Sequence, residues 1–259
     1  MKKPIEMAPA TLSEFEGVRY LHLGTPWVQG AMRVRKPHTI ELDYVQRMMV
    51  WMLFREGGKL TKGHAVQLGL GSAAITRFCH RNLRMKTTAV ELNPTVIDAC
   101  RIWFHLPADD ARLTVLNMDA AEYVADASHA ETADVLNVDL YDHDAASPVL
   151  DDQSFYDACR RLLADGGVMT VNLFGRDASF EQSARRIATA FGASSVLTLR
   201  PTKEGNTVVV AVKNLTFPDR DLLAARAENI ETRFGLPARK WLRMIRALPE
   251  GLLTPTPTP

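Results

Sequence analysis

Alternating strand and helix signals through the middle of the chain predict an α/β fold. The expected architecture is a doubly wound, mostly parallel sheet with a closing antiparallel strand pair and a small N-terminal β segment. Three observations carry this. The apolar run Ala65–Leu68 ends at Gly69-Leu70-Gly71, and Ile75, Phe78 and Cys79 then recur at helical spacing, which reads as strand, tight turn and helix. Strand-like and helix-like stretches keep alternating from there to Phe191, the pattern of crossover helices on a parallel sheet. Near the end, Ser195–Leu199 and Thr207–Lys213 are joined by a link too short for a crossover, so that pair must run antiparallel.

Taken in order, residues 1–17 show no regular pattern and are expected to be irregular. Short alternating runs broken by Gly24-Thr25-Pro26 make Val18–Arg35 a small antiparallel sheet. Leu42–Phe54 reads as one apolar helix. Its Met48, Met49, Trp51, Met52 and Leu53 point to core or interface packing rather than a cofactor role. After the glycine turn come strand Thr87–Glu91, helix Pro94–Phe104 behind the cap Asn93, and strand Arg112–Leu116. A short acidic segment, Asp119–Tyr123, leads to strand Asp134–Val138. Helix Asp151–Leu163 closes on Gly166-Gly167, strand Val168–Phe174 follows, and Ser179–Phe191 is helical. Two helices, Asp219–Phe234 and Pro237–Leu248, finish the fold, and the Thr-Pro repeats of residues 254–259 are expected to be disordered.

Bulk properties narrow the function classes. The 259 residues suit one α/β domain with an appendage; 46% hydrophobic and 24% charged residues are those of a globular protein. A net charge of +1 and the lack of a Lys/Arg cluster speak against a nucleic-acid partner. No apolar run reaches membrane length, and the start has no signal-like core, so a reducing cytoplasm is the expected setting. Cys79, Cys100 and Cys159 are far apart and lack metal-ligand spacing. Buried reduced thiols are expected, and no metal site.

In an open parallel sheet, ligands bind beyond the carboxyl ends of the strands, and here those ends carry chemistry. Glycines at 69 and 71 let the backbone approach a ligand closely in front of a helix N-terminus. Glu91, twenty residues past Gly71, can accept hydrogen bonds from ribose hydroxyls. Asp119, after the third strand, is placed to accept from an adenine amino group. Asp139 and Asp142, three apart beyond the fourth strand, can hold a cationic amine and take its proton, which an amine must lose before it attacks carbon. Each acid could also be an ordinary helix cap or solvated loop residue.

The order Gly69-x-Gly71, Val90-Glu91-Leu92-Asn93-Pro94, Asp119, Val138-Asp139, Phe155-Tyr156 and Leu163-Ala164-Asp165-Gly166-Gly167-Val168 resembles the spermidine synthase family. These are polyamine aminopropyltransferases built on the class I S-adenosylmethionine-dependent methyltransferase fold. The resemblance spans about residues 18–215. It implies an N-terminal unit over 1–56, a Rossmann-like methyltransferase-fold domain over 57–250 and a tail over 251–259. It also implies S-adenosylmethionine or its decarboxylated form as co-substrate, an amine or polyamine as acceptor, and a homodimer. By the same resemblance Gly69, Gly71 and Ser72 meet the cofactor, Glu91 the ribose and Asp119 the adenine. Asp139 is then the catalytic base and Asp142 binds the amine, while Gln29 and Tyr44 help line the pocket.

The sequence also departs from the family pattern. Ser72 stands where the family's glycine loop has an acid that meets the aminopropyl ammonium. The Asp-Ser-Ser-Asp-Pro box reads Asp139-Leu140-Tyr141-Asp142-His143, and Pro201-Thr202-Lys203 puts a lysine where the family has a pocket aromatic. Three other readings therefore stay open. One is a small-molecule methyltransferase using intact S-adenosylmethionine, favoured by Ser72. The second is a dinucleotide-dependent oxidoreductase, since residues 69–74 formally satisfy G-x-G-x-x-A. The third is a non-catalytic relative.

Overall fold

The computed structural model describes residues 7–140, 150, 152–174 and 178–249. The expected tail and Asp142 lie outside these residues.

The N-terminal sheet is antiparallel in the order β1 (Ala10–Phe15), β2 (Val18–Leu23), β3 (Gly30–Arg33). The first strand corrects the expectation that residues 1–17 are irregular. Phe15 pairs with Val18 across a two-residue turn, Glu16-Gly17, in which both φ angles are positive (49° and 74°). Such turns match the twist of paired strands. Nearly all of β1 is exposed, so no apolar alternation marks it.

The expected helix over Leu42–Phe54 is split. Helix α1 (Asp43–Met48) passes into a 3-10 helix, Met49–Leu53. Met48 through Leu53 are all fully buried. A segment apolar on every side has no solvent face to hold an α-helical register, so packing decides its winding. The methionines serve the core.

From there the chain runs β4 (His64–Leu68), α2 (Ala74–Arg77), β5 (Lys86–Glu91), α3 (Pro94–Trp103), β6 (Leu113–Asn117), α4 (Ala120–Ala125) and β7 (Ala133–Val138). It continues through α5 (Gln153–Leu162), β8 (Leu163–Phe174), α6 (Ala178–Phe191), β9 (Val196–Leu199), β10 (Asn206–Val212), α7 (Arg220–Phe234), α8 (Ala238–Leu242) and β11 (Ile245–Ala247). Four details differ from the sequence-based expectation. Helix α2 relaxes into a π-helical turn at Phe78–Asn82. The acidic segment after β6 is a helix capped by Asp119. Strand β8 starts at Leu163, which pairs with Ala133 before a register shift absorbs the glycines. The last helix ends at Leu242, because Ile245–Ala247 pairs with the edge strand β9.

The main sheet has eight strands in the order β11-β9-β10-β8-β7-β4-β5-β6. The β7–β4–β5–β6 half and the β7/β8 pair are parallel; β8/β10, β9/β10 and β9/β11 are antiparallel. Strand order reverses beside β4, whose neighbours β5 and β7 lead away in opposite directions. The crevice beyond the carboxyl end of such a point is where open α/β sheets bind ligands. One core packs Met48–Phe54, α2, α7 and α8 on one face, and a second packs α4, α5 and α6 on the other. A third joins Leu21 and Met32 of the small sheet to Leu70 and Ala73, and so seats the small sheet on the glycine loop. The three cysteines are buried and free, and no described helix is long and apolar enough to cross a membrane.

Candidate active site

Strand β4 delivers the glycine loop into the gap between the ends of β5 and β7. The Gly69 N–H donates to the Val90 carbonyl at 2.9 Å, and the Asp139 N–H donates to the Leu68 carbonyl at 2.9 Å. Gly69 has φ +82°, and a Cβ there would stand 2.0 Å from the Asp139 carbonyl oxygen. Only glycine fits both the left-handed backbone and that approach. The start of β3 lies against the same loop, since a Cβ on Gly30 would come within 2.4 Å of the Ser72 nitrogen.

Glu91, at the end of β5, reaches over the loop. Its Oε2 accepts from the Leu70 N–H and its Oε1 from the Asn93 N–H, both at 2.8 Å. Burial pushes its pKa up, against those backbone donors, and the Asp139 charge adds to the rise. Glu91 and Asp139 end the two strands that flank β4, and their negative charge makes this end of the sheet attractive to a cation. Asp119 is half-buried and caps α4, accepting from the Ala121 N–H at 2.7 Å through Oδ1. Its sequence spacing is thus partly that of a helix cap.

Asp139 stands just past the end of β7. Asn172 Nδ2 donates to its Oδ1 at 2.8 Å, and the Tyr44 hydroxyl donates to its Oδ2 at 3.3 Å. Burial raises its pKa above the ordinary carboxylate value, and the Asn172 and Tyr44 hydrogen bonds oppose that rise. A small cleft, part of it open to solvent, adjoins this carboxylate. Gln29, Tyr44, Leu70, Gly71, Ser72 and Asp139 all help to line it. Ser72 is in the wall rather than reaching inward: it is 3% exposed, and its hydroxyl donates to the Ala31 carbonyl at 3.1 Å. Lys203 is exposed and is not among the residues lining this cleft. Among the described residues no cluster of His, Cys, Asp and Glu is arranged to hold a metal ion.

Two residues of this arrangement were not anticipated from the sequence. Asn172 is 2% exposed, and its Oδ1 in turn accepts from Asn206 Nδ2 at 3.2 Å. The available signal was an amide inside the otherwise apolar run Val171-Asn172-Leu173-Phe174, since a buried polar side chain in a strand needs a partner.

Residues 71–218 match the model of the spermine/spermidine synthase domain. Over 238 residues the chain is 30% identical to a polyamine aminopropyltransferase of Neisseria meningitidis, covering 91% of this chain and 88% of that one. The chain belongs to the spermine/spermidine synthase family. In structure it is similar to a probable spermidine synthase from Corynebacterium glutamicum, with TM-score 0.72 at 17% identity over 93% of this chain and 94% of that one. It is also similar to human methyltransferase-like protein 13, solved in complex with SAH, with TM-score 0.64 at 21% identity over 81% of this chain and 96% of that one. These two likenesses establish the class I methyltransferase fold. Membership of the family leaves the dinucleotide reading of the glycine loop without support. The departure at Ser72 has a structural counterpart, because that side chain is occupied with the backbone of β3.

Proposed function

We propose that this protein transfers an aminopropyl group from a decarboxylated S-adenosylmethionine-type donor to an amine. The observation that carries the reading is the Asp139 carboxylate. It sits at the strand-order reversal of a family member, held on both oxygens and facing the cleft. Gly69 and Gly71 let the backbone meet the donor, Glu91 accepts from the ribose hydroxyls, and Asp119 accepts from the adenine amino group through the oxygen its cap leaves unused. Asp142 is the partner of the acceptor's ammonium. Gln29 and Tyr44 line the cleft beside Asp139, on the side from which the acceptor approaches.

The step balances simply. Asp139 takes a proton from the acceptor ammonium, and the freed nitrogen lone pair attacks the donor carbon next to sulfur. A C–N bond forms as the C–S bond breaks, and its electron pair stays on sulfur, so the cationic sulfonium leaves as a neutral thioether. Positioning and the two carboxylates that stabilise the cationic reactants supply the acceleration. The protein acts as a cytoplasmic homodimer with small-molecule partners, as the family resemblance implies.

A second reading, methyl transfer from intact S-adenosylmethionine, is favoured by Ser72. No carboxylate stands there to meet an aminopropyl ammonium or to repel the carboxylate of the intact donor. Calorimetric titration with each donor separates the two. Tighter binding of the decarboxylated form is expected; tighter binding of the intact form moves the protein to methyl transfer, and binding of neither overturns both.

The environment of Asp139 makes a further prediction. Asn172→Leu removes a donor that favours the ionised carboxylate, so the Asp139 pKa moves further up. Carbon NMR of the carboxyl groups, with the Asp139 signal assigned by its loss in Asp139→Asn, reads the shift. A midpoint that stays put or falls rejects the role given to Asn172.

A further inference from the structure

Four basic side chains gather beside the end of helix α2, brought there from three separate stretches of chain. Arg77 is the last residue of α2, and Arg81 stands in the π-helical turn behind it. His38 comes from the segment between β3 and α1, and His105 from the loop after α3. Partial burial holds the His38 pKa below its ordinary value, and the charges of Arg81, Arg77 and His105 lower it further. All three therefore lie near enough to His38 for their charges to be felt. Arg35 and Lys36 are exposed in the same segment as His38.

No acid balances this group. Among the described residues, no carboxylate pairs with His38, Arg77, Arg81 or His105. The acids of the flanking segments are engaged elsewhere: Glu41 with Arg33, Asp109 with Arg101, and Asp110 with His80 and the N–H groups of Arg112 and Leu113. Arg77 is the unusual member, because it is only 3% exposed. Its Nη1 donates to the Pro37 carbonyl, while its Nε is buried with no acceptor among the described residues. Burial pushes its pKa down to about 10, so it keeps its charge at neutral pH. Buried charges are normally paired with an opposite charge. This one faces a backbone carbonyl and three further basic groups, an arrangement that an anion would relieve.

We propose that Arg77, Arg81, His38 and His105 form a binding site for a diphosphate group, either free or carried by a nucleotide. Guanidinium forks match phosphate oxygens, and imidazoles add donors that become cationic as negative charge approaches. Several converging cations suit a ligand with more than one negative charge. The site is distinct from the cleft beside Asp139. None of its four residues lines that cleft, although Ala74 and Ile75 of the same helix do.

The test is calorimetric titration of pyrophosphate and, separately, of uridine diphosphate, which lacks the adenine amino group expected in the donor site. Wild type is compared with Arg81→Gln and His38→Gln, which change exposed side chains, and with Arg77→Gln, which removes the buried donor. Arg161→Gln is the control, an exposed charge on α5, which packs on the other face of the sheet. Expected is one diphosphate bound per chain. Affinity should fall about tenfold or more in Arg81→Gln and Arg77→Gln, about threefold in His38→Gln, and stay unchanged in Arg161→Gln. Tighter binding of pyrophosphate assigns the site to free diphosphate, and tighter binding of uridine diphosphate to a nucleotide. Three results would overturn the proposal: no saturable binding of either compound, wild-type affinity in Arg81→Gln, or an equal loss in Arg161→Gln.

Discussion

Asp139→Asn is expected to lower turnover by about 10²–10⁴-fold, the usual contribution of a general base. Donor affinity should remain within a few fold. The asparagine is nearly the same shape and can still accept from Asn172 or from Tyr44, which hold Asp139 at 2.8 and 3.3 Å. It cannot take a proton from an ammonium, and it removes the carboxylate that lines the cleft. The loss should therefore fall on kcat more than on the donor's apparent affinity. Single-turnover measurements with donor already bound check this, because they exclude donor capture from the rate. Retained turnover would mean that the acceptor loses its proton elsewhere, to solvent or to a group outside the described residues.

Glu91→Ala is expected to weaken donor binding at least tenfold. Two charge-assisted hydrogen bonds to ribose hydroxyls are each worth about 1.5–3 kcal/mol, of which solvent recovers a part. The structure adds a second route to the same loss. The carboxylate also receives the N–H groups of Leu70 and Asn93, so its removal leaves the glycine loop and the start of α3 each without an acceptor. Calorimetry of the nucleoside product 5′-methylthioadenosine measures the affinity, and amide hydrogen exchange at residues 70 and 93 reports the loop. Faster exchange with unchanged affinity would leave Glu91 as a brace of the loop and reject the ribose contact.

How much of this was legible beforehand differs by element. The parallel strands and their crossover helices were readable because their signals are local: apolar runs, helical spacing, caps and glycine turns all lie within a dozen residues. Glycine at 69 and the acids at 91, 119 and 139 were readable for the same reason, since each sits at the end of a strand that announces itself. The edges were not. Strand β1 is exposed nearly throughout and exists through its pairing with β2, while β11 is three residues long and exists through β9. The run Met49–Leu53 is apolar in sequence either way, and only its surroundings wind it as a 3-10 helix.

The amino-acid sequence by itself determined the α/β class, the place of the glycine loop and which carboxylates end which strands, because those properties follow from short-range pattern. The tertiary structure decided what each side chain does there. It brought Tyr44 and Asn172, 95 and 33 positions away, onto the two oxygens of Asp139. It turned Ser72 into the wall and set Trp27 against Phe174. Such partners are chosen by strand register and by packing between distant segments, and neither is encoded in the spacing of neighbouring residues.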